Sequence, residues 1–286
     1  MPELPEVETI RRDLKKKILN KKIKQVLLTK KSRVNLNHKE FIKILQNRRF
    51  VDIDRVGKLI IFDIDIKDKF LLVHLKMTGQ LIYTHGQQVT AGGHSDVKYN
   101  FDLPDNSTRV TFEFSDGGKL FFNDMRRFGY LKIVDSKELE KIKSKFGIEP
   151  LAKDFTIENL KKVLQGRKTS IKAILLNQQL IAGIGNIYAD EACFGAKIRP
   201  DRQVNRLTKQ EIMKLHRSIE KVIKKAIDMR GTTFNNYRDS DGNKGDFLKF
   251  LKVYGRDGLK CKRCSGIIEK TKVAGRGTHF CPKCQK

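Results

Sequence analysis

The sequence predicts an α+β chain in three parts. They are an N-terminal antiparallel β-sandwich domain that begins with a helix (1–134), a helical domain (135–250) and a short cysteine-rich hairpin module (251–286). Three observations predict this. Apolar residues recur at helical spacing from the fourth residue, the pattern changes to short β-rich runs from about residue 23, and it returns to helical spacing from about residue 135. Four of the five cysteines then crowd into the final stretch.

The first helix is read from Leu4, Val7, Ile10, Leu14 and Ile18. Pro5 suits a first helical turn, where its missing N–H costs nothing, and the early glutamates complement the positive end of the helix dipole. The strands are read from "IKQVLL", "LIIFDI", "FLLVHL", "TRVTFEF", "KLFF" and "YLKIV", with "SDGG" (115–118) as a hairpin turn between two of them. Helices follow in "SKELEKIKSKF", "TIENLKKVLQ", "TSIKAILLNQQ", "NIYADEACFGA" and "TKQEIMKLHRSIEKVIKKAIDMR". Thr208 and Glu211 form a capping-box signal at the start of the last. The polar, glycine-bearing stretch 231–247 is long enough to be a functional loop.

Lys and Arg number 60 against 33 Asp and Glu, a formal charge of +27. Such an excess points to a polyanionic partner, nucleic acid first and an anionic membrane surface second. The 39% hydrophobic content supports a core, and no run of 18 apolar residues offers a membrane span. The N-terminus carries acids where a signal peptide needs a basic region and an apolar stretch. A cytoplasmic chain acting as a monomer is expected.

Cys261 and Cys264 in "CKRC", and Cys281 and Cys284 in "CPKC", are two C-x-x-C knuckles separated by 16 residues, the spacing of a zinc ribbon. Two disulfides are the alternative, disfavoured in a reducing compartment. Four cysteines leave no open coordination position, so one structural Zn2+ is expected. Between the knuckles, Gly275 and Gly277 flank Arg276 at a hairpin tip. Arg276 is either a solvated turn arginine or a contact to phosphate or groove.

Methionine is commonly trimmed before a small residue, and Pro2 follows Met1. A freed terminal amine titrates near about 8, against about 10.4 for lysine, so much more of it is neutral at pH 7. A secondary amine attacking an aldehydic carbon gives an iminium, an electron sink for elimination. Neighbouring carboxylates can move protons, although they also raise the amine's pKa. The plainer alternative makes "PELPE" an acidic helix cap.

Taken together, "PELPEVETIRR", "GK" at 57–58, "HLKMTG", "RRFG", "GIGNIYADE" and "VAGRGTHFCPKC" resemble, in order and over nearly the whole chain, the bacterial formamidopyrimidine-DNA glycosylases. Members excise oxidised purines such as 8-oxoguanine and cut the abasic strand. The resemblance implies that Pro2 is the nucleophile, Glu3 its proton-transfer partner, Glu6 a second carboxylate of that site and Lys58 the catalytic lysine. It implies that Met77, Arg126 and Phe128 fill the void left by a flipped base. "TSIKAILLNQQLIAGIGNIYADE" resembles the family's helix–two-turn–helix, with Asn186, Arg167 and Lys168 as phosphate contacts. Arg276 matches the zinc-hairpin arginine, which the family also implicates in the second elimination. The segment 237–247 resembles the loop that closes over a flipped purine.

Two departures stand out. Met125 replaces the proline of the family's "DPRRFG", and Ser107 falls where a histidine contact is usual, with Arg109 as a candidate replacement. The segment around 86–108 is also longer than usual. The expectation is a base-excision-repair glycosylase and abasic-site lyase working by β,δ-elimination on double-stranded DNA, with no membrane partner. The rivals are an endonuclease VIII-type enzyme for oxidised pyrimidines and a non-catalytic zinc-ribbon clamp on damaged DNA.

Overall fold

A computed structural model describes residues 1–86, 88–93, 103–232 and 247–286. The chain forms two compact units, Met1–Ser144 with Met229–Leu248, and Lys145–Asp228 with Lys249–Lys286.

The first unit opens with α1 (Leu4–Ile18), then β1 (Ile23–Leu28), α2 (His38–Leu45), β2 (Phe50–Val56), β3 (Leu59–Ile64), β4 (Phe70–His74), β5 (Gly79–His85), β6 (Gln88–Gly93), β7 (Thr108–Phe114), β8 (Lys119–Asp124), β9 (Tyr130–Val134) and α3 (Ser136–Lys143). Two antiparallel sheets result, ordered β1-β7-β8-β5-β6 and β2-β3-β4-β9. The six strands expected from sequence are present, and "SDGG" turns β7 into β8 with Gly117 at φ +88°.

Four elements lacked a clear sequence signal. Helix α2 is only 8 residues long and starts from an Asn37 cap. Strands β2 and β6 are sheet edges. Edge strands carry polar residues that blur the apolar pattern, as the aspartates of "FVDIDRV" do. Strand β5 opens with Gly79 and Gln80 and ends in Thr84 and His85, which leaves a short apolar run.

The five periodic residues of α1 are essentially buried, and Val7, Ile10, Leu14 and Ile18 join both sheets in one core. Phe50 spans the sandwich, its ring 4.8 Å from Phe62 on one sheet and 5.9 Å from Phe112 on the other.

The second unit contains α4 (Ile157–Leu164), α5 (Ile171–Leu176), α6 (Asn186–Ala196), α7 (Lys209–Asp228), β10 (Glu269–Val273) and β11 (Arg276–Phe280). The capping box of α7 is reciprocal. Glu211 N–H donates to Thr208 Oγ1 at 3.2 Å, and Thr208 N–H donates to Glu211 Oε2 at 2.8 Å. Strands β10 and β11 pair antiparallel around a two-residue turn, Ala274–Gly275, both at positive φ. The turn places Arg276 as the first residue of β11, one step past the tip.

Helix α1 is pinned by charge as well as by packing. Buried Glu8 accepts from Arg11 Nη2 at 2.8 Å, Arg12 Nε at 2.6 Å and Arg55 Nε, on β2, at 2.8 Å. Burial opposes ionisation of Glu8, but the Arg11 hydrogen bonds, the Arg55 charge and the Arg12 hydrogen bond outweigh it and hold its pKa at about 2. With the folded pKa below the unfolded one, this stabilisation is complete above about pH 4.5 and is lost as pH falls towards 2. Glu8→Gln is expected to lower stability at pH 7 by roughly 2 kcal/mol, allowing for solvent screening. Urea melts of parent and variant should converge as pH falls through that window.

Candidate functional site

In the first unit the N-terminus is held rather than frayed. Pro2 and Glu3 are both buried. Glu3 caps α1, and its N–H donates to Glu6 Oε2 at 2.8 Å. The other oxygen of Glu6 accepts from Thr232 N–H at 2.7 Å and from Thr232 Oγ1 at 3.1 Å. Glu6 therefore ties the start of α1 to residue 232, and a short Arg230–Asp13 ion pair (2.5 Å) reinforces the same junction. The 237–247 segment lies outside the described residues, except Phe247.

Lys58 is 5% exposed and follows the Gly57 turn (φ +55°) between β2 and β3. Its charge reaches His74, whose cross-strand partner is Leu59. Burial first, then the charges of Lys76 and Lys58, push the His74 pKa down to about 3. His74 Nδ1 accepts from Lys76 N–H at 3.0 Å, so the neutral ring carries its proton on Nε2. The sequence signal for this histidine is only its place in "HLKMTG".

The candidate void-filling residues lie on two loops. Met77 is on the β4–β5 connection, and Arg126 and Phe128 are on the β8–β9 connection. All three are exposed, and the Arg126 guanidinium sits 4.8 Å from the centre of the Phe128 ring. Arg109 has a different setting at 6% exposed. Its Nε donates to the Asp124 carbonyl at 2.9 Å and its Nη1 to the Asn106 and Thr108 carbonyls at 3.0 and 3.3 Å.

In the second unit the turn between α5 and α6 is stapled by Gln178. Its Oε1 accepts from Gly183 N–H at 2.9 Å, and its Nε2 donates to the Ile184 carbonyl at 2.8 Å. Gly183 needs φ +87° there. Arg167 and Lys168 are exposed ahead of α5. Asn186 opens α6 and donates from Nδ2 to the Gly277 carbonyl at 3.0 Å. Beneath it lies a fully buried ion pair that sequence reading missed. Lys172 Nζ donates to Asp190 Oδ1 at 2.6 Å, to Thr278 Oγ1 at 2.8 Å and to the Gly277 carbonyl at 3.0 Å. Asp190 Oδ2 in turn accepts from His279 N–H at 2.9 Å. The only sequence signal was a lysine in the otherwise apolar run "IKAILL". These bonds fix the strand that carries exposed Arg276.

The sulfur atoms of Cys261, Cys264, Cys281 and Cys284 lie within 4.8 Å of one another. Two of the separations are 3.9 Å (Cys261–Cys284) and 3.5 Å (Cys264–Cys281). A tetrahedral zinc with Zn–S bonds of about 2.3 Å sets its sulfurs about 3.8 Å apart, so the four residues fit that ion. A disulfide would bring two sulfurs to about 2.05 Å. Hydrogen bonding from Gly266 lowers the Cys264 thiol to about 7, whereas burial and the neighbouring thiols push Cys284 up to about 12. Four thiolates in one cluster need a cation to neutralise them. When bound, zinc supplies a rigid cross-link, and Phe194, Val253 and Ile268 complete the small core around it.

Two outcomes are expected. Cys281→Ser should release the zinc and weaken DNA binding by about tenfold or more, read by metal analysis and gel shift. Lys172→Met leaves Asp190 buried without its cation and should cost about 3–5 kcal/mol in a denaturant melt.

Comparison with known proteins agrees with this geometry. Family models match residues 1–131 (formamidopyrimidine-DNA glycosylase N-terminal domain), 146–238 (formamidopyrimidine-DNA glycosylase H2TH domain) and 258–286 (zinc finger found in FPG and IleRS). The formamidopyrimidine-DNA glycosylase of Pelotomaculum thermopropionicum is 41% identical over 290 residues, covering 100% of this chain and 99% of that one. That of Desulfitobacterium hafniense is 42% identical over 288 residues, covering all of both. Among solved structures, a Lactococcus lactis FPG mutant with Fapy-dG DNA superposes with a TM-score of 0.87 at 36% identity, covering all of both chains. The wild-type Lactococcus protein with oxidised-pyrimidine DNA superposes at 0.85, again at 36% identity and covering all of both chains. Full-length similarity at this level, together with three family models in order, shows that the chain belongs to the formamidopyrimidine-DNA glycosylase family.

Proposed function

We propose that this chain removes oxidised purines from double-stranded DNA and then cuts the abasic strand, with Pro2 as nucleophile once Met1 has been removed. The observation that carries this reading is the N-terminus. Pro2 and Glu3 are buried, and the Glu3 amide is held by Glu6. A chain end with no function is ordinarily left to fray.

The neutral imino nitrogen of Pro2 attacks the deoxyribose C1′ and the damaged base departs. Ring opening leaves an iminium, which acidifies first the C2′–H and then the C4′–H, and loss of each proton expels in turn the 3′-phosphate (β-elimination) and the 5′-phosphate (δ-elimination). Glu3 is the proton carrier beside the nucleophile. Lys58, buried just ahead of β3, is the catalytic lysine of the site. Glu6, with both oxygens bonded to backbone groups, acts by position. Met77 and Phe128 wedge into the stack where the base is flipped out, and Arg126 hydrogen-bonds the orphaned partner base. Arg276, Asn186, Arg167 and Lys168 hold phosphates. Arg109, committed to backbone carbonyls, is assigned to loop support.

A second reading, oxidised pyrimidines as the preferred substrate, has one observation behind it: a structural relative was solved with such DNA. Excision of 8-oxoguanine opposite cytosine, compared with excision of thymine glycol, separates the two.

Borohydride reduction in the presence of abasic duplex is expected to trap a covalent protein–DNA adduct with trimmed protein. None should form with Pro2→Gly or with Met1 retained. Absence of an adduct with the trimmed protein would leave only a DNA clamp. Binding should also weaken by about a thousandfold or more between 50 and 200 mM salt, as it does for proteins that neutralise six or more phosphates.

A further inference from the structure

The two loops that carry Met77, Arg126 and Phe128 share a topological position. Strand β4 belongs to the four-stranded sheet and β5 to the five-stranded one, while β8 belongs to the five-stranded sheet and β9 to the four-stranded one. Residues 75–78 and 125–129 are therefore the two crossovers between the sheets at one end of the sandwich. Strand pairing aligns them, since Gly79 faces Asp124 and His74 faces Tyr130.

Asp124 stands between these crossovers and is 1% exposed. Its Oδ1 accepts a short hydrogen bond from Thr78 Oγ1, the residue after Met77. Its Oδ2 accepts from Gly129 N–H, the residue after Phe128, at 2.6 Å. Thr78 Oγ1 also accepts from Arg126 N–H at 3.0 Å. One carboxylate and one hydroxyl thus tie together the backbones on either side of the three exposed side chains. The backbone around them leaves little slack. A Cβ on Gly79 would come within 2.3 Å of the Leu75 carbonyl oxygen. A Cβ on Gly129 would come within 2.8 Å of the Phe122 ring and 3.0 Å of Asp124 Oδ2. Arg109 clamps the Asp124 carbonyl from behind at 2.9 Å.

We propose that Asp124, acting through Thr78, is a positioning residue that sets the spacing of the Met77 and Arg126–Phe128 loops, so that the three side chains enter duplex DNA as one rigid wedge. The proposal rests on the glycosylase reading above. A carboxylate can accept from both Thr78 O–H and Gly129 N–H at once, whereas an amide presents a donor to one of them. Loosening a preorganised set by about 1 Å costs up to about a hundredfold in rate. The wedge matters only where a stack must be opened and a hole filled, and a single strand has neither.

The test uses full-length, trimmed, zinc-loaded protein with Asp124→Asn and, as a milder change that keeps the carboxylate, Thr78→Val. Two reactions are compared: excision of 8-oxoguanine from duplex, and borohydride trapping on single-stranded abasic DNA. A third readout, the fluorescence of 2-aminopurine beside a tetrahydrofuran site in duplex, reports insertion without chemistry. Both variants are expected to lose about tenfold or more in duplex excision and to give a weakened 2-aminopurine response, with single-strand trapping within about twofold of the parent. Equal losses on duplex and single strand, or no loss on either, would overturn the proposal. Failure of the parent to form any adduct would sink the lyase reading instead, and the 2-aminopurine signal would still judge the wedge.

Discussion

The nucleophile proposed for the chain terminus is only as well placed as the helix that carries it. Here that helix is seated by one buried anion, Glu8, shared among Arg11, Arg12 and Arg55. In a chain with an excess of 27 positive charges, three guanidinium groups meeting at one point would repel unless a carboxylate lay between them. Glu8 converts that repulsion into a cross-link from α1 to β2. The apolar stripe of α1 supplies burial, which has no direction. The ion cluster supplies the orientation that places Pro2 and Glu3 below the surface.

Carboxylates do the same work elsewhere. Glu6 gathers the Glu3 amide and residue 232. Asp124 gathers the two sheet crossovers, and Asp190 gathers Lys172 and the strand bearing Arg276. In each case a buried or half-buried acid accepts from backbone N–H groups or from a cation, so its charge is compensated where it stands. The surplus of basic residues remains for a polyanion. These four acids fix geometry from buried or half-buried positions.

The zinc hairpin and the sandwich solve the same problem by different means. The sandwich has a core large enough to hold short crossovers rigid. Around its cysteines the terminal module packs Val253 and Ile268 against Phe194 of α6, too little apolar area to fold unaided. A metal cross-link and the buried Lys172–Asp190 pair make up the difference, and both lead to the strand that begins with Arg276.

The sequence by itself determined the helix of the N-terminus, six strands, the helical second half and the zinc knuckles. Each depends on local periodicity or on short ligand spacing, and both are written in neighbouring residues. It also determined the family motifs and, through them, Pro2, Glu3, Lys58 and Arg276 as candidates. Only the tertiary structure decided which polar residues turn inward. Arg109 reads as a surface arginine but is buried against backbone carbonyls. Asp124 ends β8 yet bonds Thr78, 46 residues away on the other crossover. Lys172 looks like one lysine among many but lies fully buried beneath a strand more than 100 residues away. Such pairings depend on which segments the fold brings together, and periodicity within a segment holds no record of its distant neighbours.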